Sequence, residues 1–325
     1  MKIALLRGKA DRPNYVAFDN IEDDDDMWTQ LLYAMCGKEH EGVVYYWGGD
    51  RKAQYKPNFI VRWKSRLDNI DPSDAPDVII ARGGFEEYDK YLEARPRAIK
   101  IYYGAGKRFM PCQDFRKYDA ILADSDWQKR RTERHYPLTI VWPMVKPAAE
   151  NVFKPVEVAR THDVLFSAIH PGDDRKQVEW VYDTCPKKIR VLQVGETPKH
   201  KPPNVTVRMV PKAYMPRMIC KCALTIAPYT HDDSAPRIIP ESWACGRSVV
   251  APPDLSVWWG QYQGFSGIQS AGRKDFWDVV RRAMDSPPAP QSIVEWYKQN
   301  CSLAVAADNL RRLIHACESR RPPTL

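Results

Sequence analysis

The chain has 325 residues, of which 44% are hydrophobic and 28% charged, and a formal net charge of +8. That length and composition describe a soluble globular protein with material for two cores. No apolar run approaches the ~20 residues needed to cross a bilayer, which excludes a transmembrane helix. The opening Met1–Arg7 is too short and too soon interrupted to be a signal peptide, so the cytoplasm is the expected compartment. The positive excess either marks a basic surface or favours a polyanionic partner: nucleotide phosphates, nucleic acid or an anionic membrane. The eight cysteines are scattered, and Cys220-Lys221-Cys222 lacks zinc-knuckle spacing, so the thiols are read as reduced and no metal is expected.

Short apolar runs follow one another along the chain. Lys2–Leu6 reads as a buried parallel strand. Asp23–Asp26 reads as a solvated acidic loop that favours the N-terminus of a helix over Met27–Cys36. Val43–Trp47 is a second strand ending at Gly48-Gly49, and Asp77–Ala81 a third running into Arg82-Gly83-Gly84. Ala98–Tyr103 ends at Gly104-Ala105-Gly106-Lys107-Arg108, a glycine turn with two cations. Tyr118–Ala123 and Leu138–Trp142 complete six strands, with a helix over Ser125–His135 between them. Strands alternating with helices predict an open α/β sheet.

The pattern loosens from Pro143 to Val158, as in an interdomain connection. A second α/β series then begins with Asp163–Ala168 and a helix from about Arg175 to Asp183. Strands over Arg190–Val194, Val205–Val210, Leu224–Pro228 and Ser248–Ala251 follow, and Ser292–Ser319 has helical spacing. The predicted domains are 1–148, 149–290 and a helical segment 291–325 that packs back on the first. In open α/β sheets ligands bind outside the carboxyl ends of the strands. The glycine turns and the Asp232–Arg237 loop all lie at such ends.

The densest chemistry lies in Asp232–Val250. Asp233 and Glu241 stand eight positions apart across a loop and the start of a helix, an arrangement suited to holding ligand hydroxyls. Together with Ala244-Cys245-Gly246-Arg247-Ser248-Val249-Val250, the pair resembles the acidic-x7-Glu motif of family 4 glycosyltransferases with the GT-B fold. The resemblance runs in order through 118–255, including Tyr118–Gln128 and Asn151–Pro155. It departs in having Asp233 in place of the first Glu, and Ser234-Ala235-Pro236-Arg237 in place of a glycine-rich loop.

The resemblance implies two Rossmann-like domains facing a cleft, and sugar transfer from a nucleotide-sugar donor, a UDP-sugar first, with retention and with neither metal nor separate cofactor. It implies that Glu241 holds the ribose hydroxyls, that Asp233 is the catalytic-site residue at the transferred sugar, and that Arg175 and Lys176 neutralise the diphosphate. Arg237 is a further candidate for the phosphates. Fixed cations there lower the barrier as leaving-group charge develops. Simpler roles stand beside these: helix N-terminal charge for Glu241, ~0.3–1 kcal/mol, a loop cap for Asp233 and a solvated helix start for Arg175 and Lys176. Gly104, Gly106, Lys107, Arg108 and His170 are candidate cleft contacts. The expected acceptor is a cell-surface glycan or glycolipid, with peripheral membrane contact. One alternative is a bacteriophage-type DNA glycosyltransferase acting on a hydroxymethylated base, for which the eleven tryptophans and Lys129-Arg130-Arg131 would suit a phosphate backbone and a flipped base. The other is a non-catalytic GT-B module that binds a nucleotide.

Overall fold

A computed structural model describes residues 1–9, 26–36, 40–47, 51–56, 59–64, 70, 74–83, 86–104, 115–144, 146–170, 172–230, 232–233 and 235–321. The chain divides into two compact units, Met1–Val145 with Leu303–Leu325, and Lys146–Ser302.

The first unit is built on an eight-stranded sheet. Its strands are β1 (Lys2–Lys9), β2 (Glu41–Trp47), β3 (Arg51–Lys56), β4 (Phe59–Lys64), β5 (Val78–Arg82), β6 (Ile99–Tyr103), β7 (Ala120–Ala123) and β8 (Ile140–Pro143). They lie in the order β3-β4-β2-β1-β5-β6-β7-β8, and the β3–β4 pair alone among these pairs is antiparallel. Helices α1 (Met27–Cys36), α2 (Glu86–Glu93) and α3 (Asp126–His135) connect them. A parallel sheet covered on both faces needs apolar side chains on both. In β1, Ile3 and Leu5 enter the core beneath α1, while Ala4 and Leu6 enter the other, with Tyr88, Tyr91 and Leu92 of α2.

Asp26 corrects the expectation of a solvated acidic loop. It is buried, forms an ion pair with Arg7 in the second half of β1, and accepts from the Thr29 backbone N–H at 2.9 Å. It therefore caps α1 while it neutralises a buried arginine. Asp23, Asp24 and Asp25 lie outside the described residues.

The second unit carries a six-stranded parallel sheet in the order β11-β10-β9-β12-β13-β14. These are β9 (His162–Ser167), β10 (Val191–Val194), β11 (Val205–Arg208), β12 (Cys222–Ile226), β13 (Val249–Ala251) and β14 (Ile268–Ser270). Its helices are α4 (Val178–Thr184), α5 (Met215–Cys220), α6 (Ile238–Ala244), α7 (Phe276–Asp285) and α8 (Pro290–Asn300). On α8, Trp296 stacks on Phe265 at 3.7 Å between ring centres and meets Trp243 of α6 edge-on. The Tyr297 hydroxyl accepts from the Ala148 N–H at 3.0 Å, tying α8 to the start of the unit.

After Ser302 the chain returns to the first unit as α9 (Leu303–Glu318). Ala306, Ala307, Leu310, Leu313, Ile314 and Cys317 recur at helical spacing and are buried in the core shared with α1. Asn309 locks the contact, accepting from the Trp142 indole and donating to the Pro143 carbonyl, both at 2.8 Å. Arg311 caps the carbonyls of Ala34 and Met35 at the end of α1, at 3.2 and 3.0 Å.

Helix α6 is delimited at both ends by its own sequence. Pro240 sits in the first turn, where a missing N–H costs nothing. At the other end Gly246 has φ +70°, its N–H bonds the Trp243 carbonyl, and the Arg247 N–H bonds the Ser242 carbonyl, forming a Schellman cap. A Cβ at Gly246 would also lie 3.1 Å from the backbone oxygen of Pro290. Gly246→Ala should therefore destabilise the protein by about 1–2 kcal/mol through the left-handed conformation alone, measurable as a lower urea midpoint with unchanged slope. An unchanged midpoint would count against this account of the cap.

Candidate functional site

The predicted donor residues lie in two loops at the carboxyl ends of β9 and β12, which are neighbours in the sheet. After β9 the chain makes a 3-10 turn over Asp174–Lys176, capped by Asp173. The Asp173 carboxylate takes Arg175 in a fork, from Nε at 2.8 Å and Nη2 at 2.6 Å. Those hydrogen bonds hold the Asp173 carboxyl below its usual range, against an opposing contribution from burial. Gln177 then takes a left-handed φ of 57° before α4 begins.

The β12 loop reaches back to this turn. The Thr230 N–H donates to the Arg175 carbonyl at 2.9 Å, and the Tyr229 hydroxyl donates to the Ser167 carbonyl at 2.6 Å. Lys176 forms an ion pair with Asp233 and stands 3.9 Å from the centre of the Tyr229 ring. The structure thus brings together two predicted residues that stand 57 positions apart. Tyr229, almost wholly buried, is the platform beneath them. Burial raises its phenol well above the ordinary value, and the charges of Asp233 and Glu241 add to this, so both carboxylates bear on the same ring.

Beyond Asp233 the loop is held by backbone contacts. The Ala235 N–H donates to the Ser256 carbonyl at 2.8 Å, and the Lys146 ammonium donates to the Ala235 carbonyl at 3.1 Å. Ala235 has φ 42°; it and Gln177 are the two non-glycine residues with positive φ among those described. A left-handed conformation in a residue with a side chain costs on the order of 1–2 kcal/mol, and such strain clusters at functional sites. Both outliers flank the Lys176–Asp233 pair.

Glu241 lies in the first turn of α6 and is partly exposed, and Arg237 precedes that helix on the surface. Ser242 fixes the helix on the sheet, its hydroxyl 2.8 Å from that of Thr225 in β12. His170 is not drawn into this cluster by any hydrogen bond; it pairs at the surface with Glu196 at 3.2 Å. In the first unit Gly104 is buried at the end of β6, with its carbonyl 3.4 Å from the Gln128 amide. Gly106, Lys107 and Arg108 lie outside the described residues, as do Gly84 and Ser234.

Sequence reasoning did not find the cavity beside this cluster. It has a volume of about 280 Å³ and lies at the ends of β12 and β13, lined by Tyr229, Asp232 and Asp254 together with Trp180, Phe276 and Arg273. Arg273 stands 5.6 Å over the Trp180 ring and donates to the Gln177 side chain at 2.6 Å. An aromatic wall with a fixed guanidinium and two carboxylates can hold a flat, hydroxyl-bearing ligand. The signal in the sequence was Trp180, inside a predicted helix and one turn beyond Lys176. Among the described residues no group of three or more His, Cys, Asp or Glu side chains is placed to hold a metal, and no helix is long and apolar enough to cross a membrane.

No protein-family model and no curated protein sequence matches the chain. Solved structures do match over its whole length. Sucrose-phosphate synthase from Thermosynechococcus elongatus is similar with a TM-score of 0.67 at 11% identity, covering 98% of this chain and 100% of that one. HepE of Anabaena, solved in complex with UDP and glucose, gives 0.65 at 11%, covering 97% and 100%. The lipopolysaccharide outer core galactosyltransferase WaaB gives 0.60 at 12%, covering 97% and 99%. These neighbours are glycosyltransferases of the GT-B architecture, and the chain has that fold.

The Asp173–Arg175 fork carries a pH prediction. A carboxyl whose folded pKa is depressed contributes stability above its unfolded pKa, ~3.9, and loses it as pH falls through the folded value. The wild type should therefore be more stable than Asp173→Asn at neutral pH, with the difference shrinking as the pH falls below about 4 and lost only below the depressed folded value. Urea titrations at neutral and acid pH check this; a difference that stays constant with pH would refute it.

Proposed function

We propose that the protein is a glycosyltransferase that moves a sugar from a nucleotide-sugar donor, a UDP-sugar first, to a cell-surface glycan or glycolipid. The observation that carries this reading is the cluster at the ends of β9 and β12, with Lys176, Asp233 and Tyr229 in contact beside a cavity walled by Trp180 and Arg273. Support for the donor comes from HepE, a structural neighbour solved with UDP and with UDP-glucose. Support for the acceptor class is the similarity to WaaB, a lipopolysaccharide outer core galactosyltransferase.

In this reading Glu241 accepts hydrogen bonds from the ribose hydroxyls, a charge-assisted pairing. Lys176 and Arg175 meet the diphosphate, and Lys176 exchanges its carboxylate partner for a phosphate oxygen as the donor enters. That exchange releases Asp233 toward the transferred sugar. Fixed cations then stabilise the charge that develops on the departing diphosphate. The resemblance to family 4 implies retention, a same-face transfer in which this electrostatic stabilisation supplies most of the effect, and no metal.

Two substitutions test the reading against UDP-glucose. Glu241→Gln should weaken UDP binding about tenfold, the loss of ~1.4 kcal/mol expected for a charge-assisted bond. Asp233→Asn should bind UDP at least as tightly as the wild type, because Lys176 no longer has to leave a carboxylate, yet turn the donor over more slowly. Calorimetric titration with UDP and release of UDP from the sugar nucleotide provide the two readings. If neither UDP nor any of a panel of nucleotide sugars binds, the proposal fails; if they bind without turnover, the non-catalytic module replaces it.

A further inference from the structure

The cavity at the ends of β12 and β13 collects groups that the proposed donor contacts do not use. Its volume is about 280 Å³, and Trp180, Thr230, Asp232, Asp254 and Arg273 supply its hydrogen-bonding side chains beside Tyr229 and Phe276. Arg175, Lys176, Asp233 and Glu241 are not part of that lining.

Several of these groups have hydrogen-bonding capacity left over. The Thr230 hydroxyl is buried without a partner, although the backbone N–H and carbonyl of the same residue are bonded to Arg175 and Asp233. Asp254 is exposed and has neither a hydrogen bond nor an ion pair among the described residues. The Trp180 indole N–H likewise has no partner there, and the ring stays partly exposed although Phe276 and Trp277 both pack on it. Arg273 directs Nη2 to the neutral Gln177 side chain at 2.6 Å and pairs with no carboxylate among the described residues. Asp232 adds a second acidic group, whose charge also bears on Arg175.

The mixture of signs decides which ligand satisfies this set. A phosphate or carboxylate would meet Asp232 and Asp254, and a cation would meet Arg273. An apolar body would keep the buried Thr230 hydroxyl unbonded, which is costly. A ligand hydroxyl both donates and accepts, so a neutral polyol serves the N–H donors and the carboxylates at once. Its carbon skeleton then lies on the apolar surface of Trp180 and Phe276. The volume stands at the lower bound of the ~300–1,000 Å³ of small-ligand pockets, room for one ring and not for a whole sugar nucleotide. We infer that this cavity is a saccharide site that takes one neutral sugar ring through its hydroxyls. The ring comes either from a UDP-sugar, in which case the inference rests on the donor reading, or from a separate glycan, in which case it stands without that reading.

Saturation-transfer difference NMR of the full chain separates the two sources. The probes are UDP, UDP-glucose and the methyl glycosides of glucose, galactose, mannose and N-acetylglucosamine. Saturation of a methyl glycoside that persists with UDP-glucose present assigns a separate glycan. Saturation of the glucose ring of UDP-glucose, with the methyl glycosides silent or displaced by UDP-glucose but not by UDP, assigns the sugar of the donor. In either case Asp254→Ala should weaken binding of the ring about tenfold, as for loss of a hydrogen bond to a charged group, while UDP binding stays unchanged. Asp254 has no other contact to lose. Thr230→Val should also weaken the ring, yet raise the urea midpoint of the free protein, because a methyl group of similar shape replaces an unbonded buried hydroxyl. The inference is overturned by silence of the sugar ring in every probe, by ring binding that survives both substitutions, by a lower midpoint for Thr230→Val, or by loss of UDP together with the ring in Asp254→Ala. UDP binding with a silent ring removes this inference and leaves the donor reading standing.

Discussion

The candidate site depends on one tie between two loops. Lys176 follows β9 and Asp233 follows β12, and their ion pair closes over the ring of Tyr229. An ammonium over an aromatic face, with a carboxylate beside it, is held by both the ring quadrupole and the opposite charge. The Tyr229 hydroxyl on Ser167 and the Thr230 N–H on Arg175 add two neutral bonds between the same loops. Each loop also holds a residue in left-handed backbone, Gln177 in one and Ala235 in the other. That conformation persists only where the surroundings over-determine it; here Ser256 and Lys146 hold Ala235, and Arg273 holds the Gln177 side chain.

The sheet order makes this possible. Parallel strands place all their carboxyl ends along one edge, and the order β10-β9-β12-β13 puts the first and fourth strands of the second unit side by side. Helix α6 then begins beside the Asp233 loop, with its hold on β12 through Ser242 and its end set by Gly246. Glu241 is thereby placed on a short, well-anchored element rather than on the loop itself. In the first unit α9 does comparable work, sealing one face of the sheet against α1.

Much of the fold was legible because buried parallel strands are continuous apolar runs, as in Val164-Leu165-Phe166 or Ala120-Ile121-Leu122-Ala123. Strand β3, Arg51–Lys56, has no such run, and its place at an antiparallel edge left no periodicity to read. Strand β14 is three residues long, below the length at which alternation can be counted. Helix α7 buries Phe276, Trp277, Val279, Val280 and Ala283, a pattern present in the sequence but not assigned. At the site, Glu241 and Asp233 were readable as a spaced pair. The Lys176–Asp233 contact was not, because it depends on which strands are neighbours, a property no local window contains. Asp26 shows the same limit: its capping role followed from its position before α1, whereas its burial against Arg7 depends on where β1 ends.

The charges around the second unit's site are mixed. Around the loops after β9 and β12, Arg175 and Lys176 are already matched to Asp173 and Asp233, and Asp232 and Asp254 line the adjoining cavity. A phosphate there must compete with carboxylates, which favours a ligand that also offers hydroxyl donors for them to accept. The two loops thus have the mixed charge suited to a ligand that is part anion and part polyol.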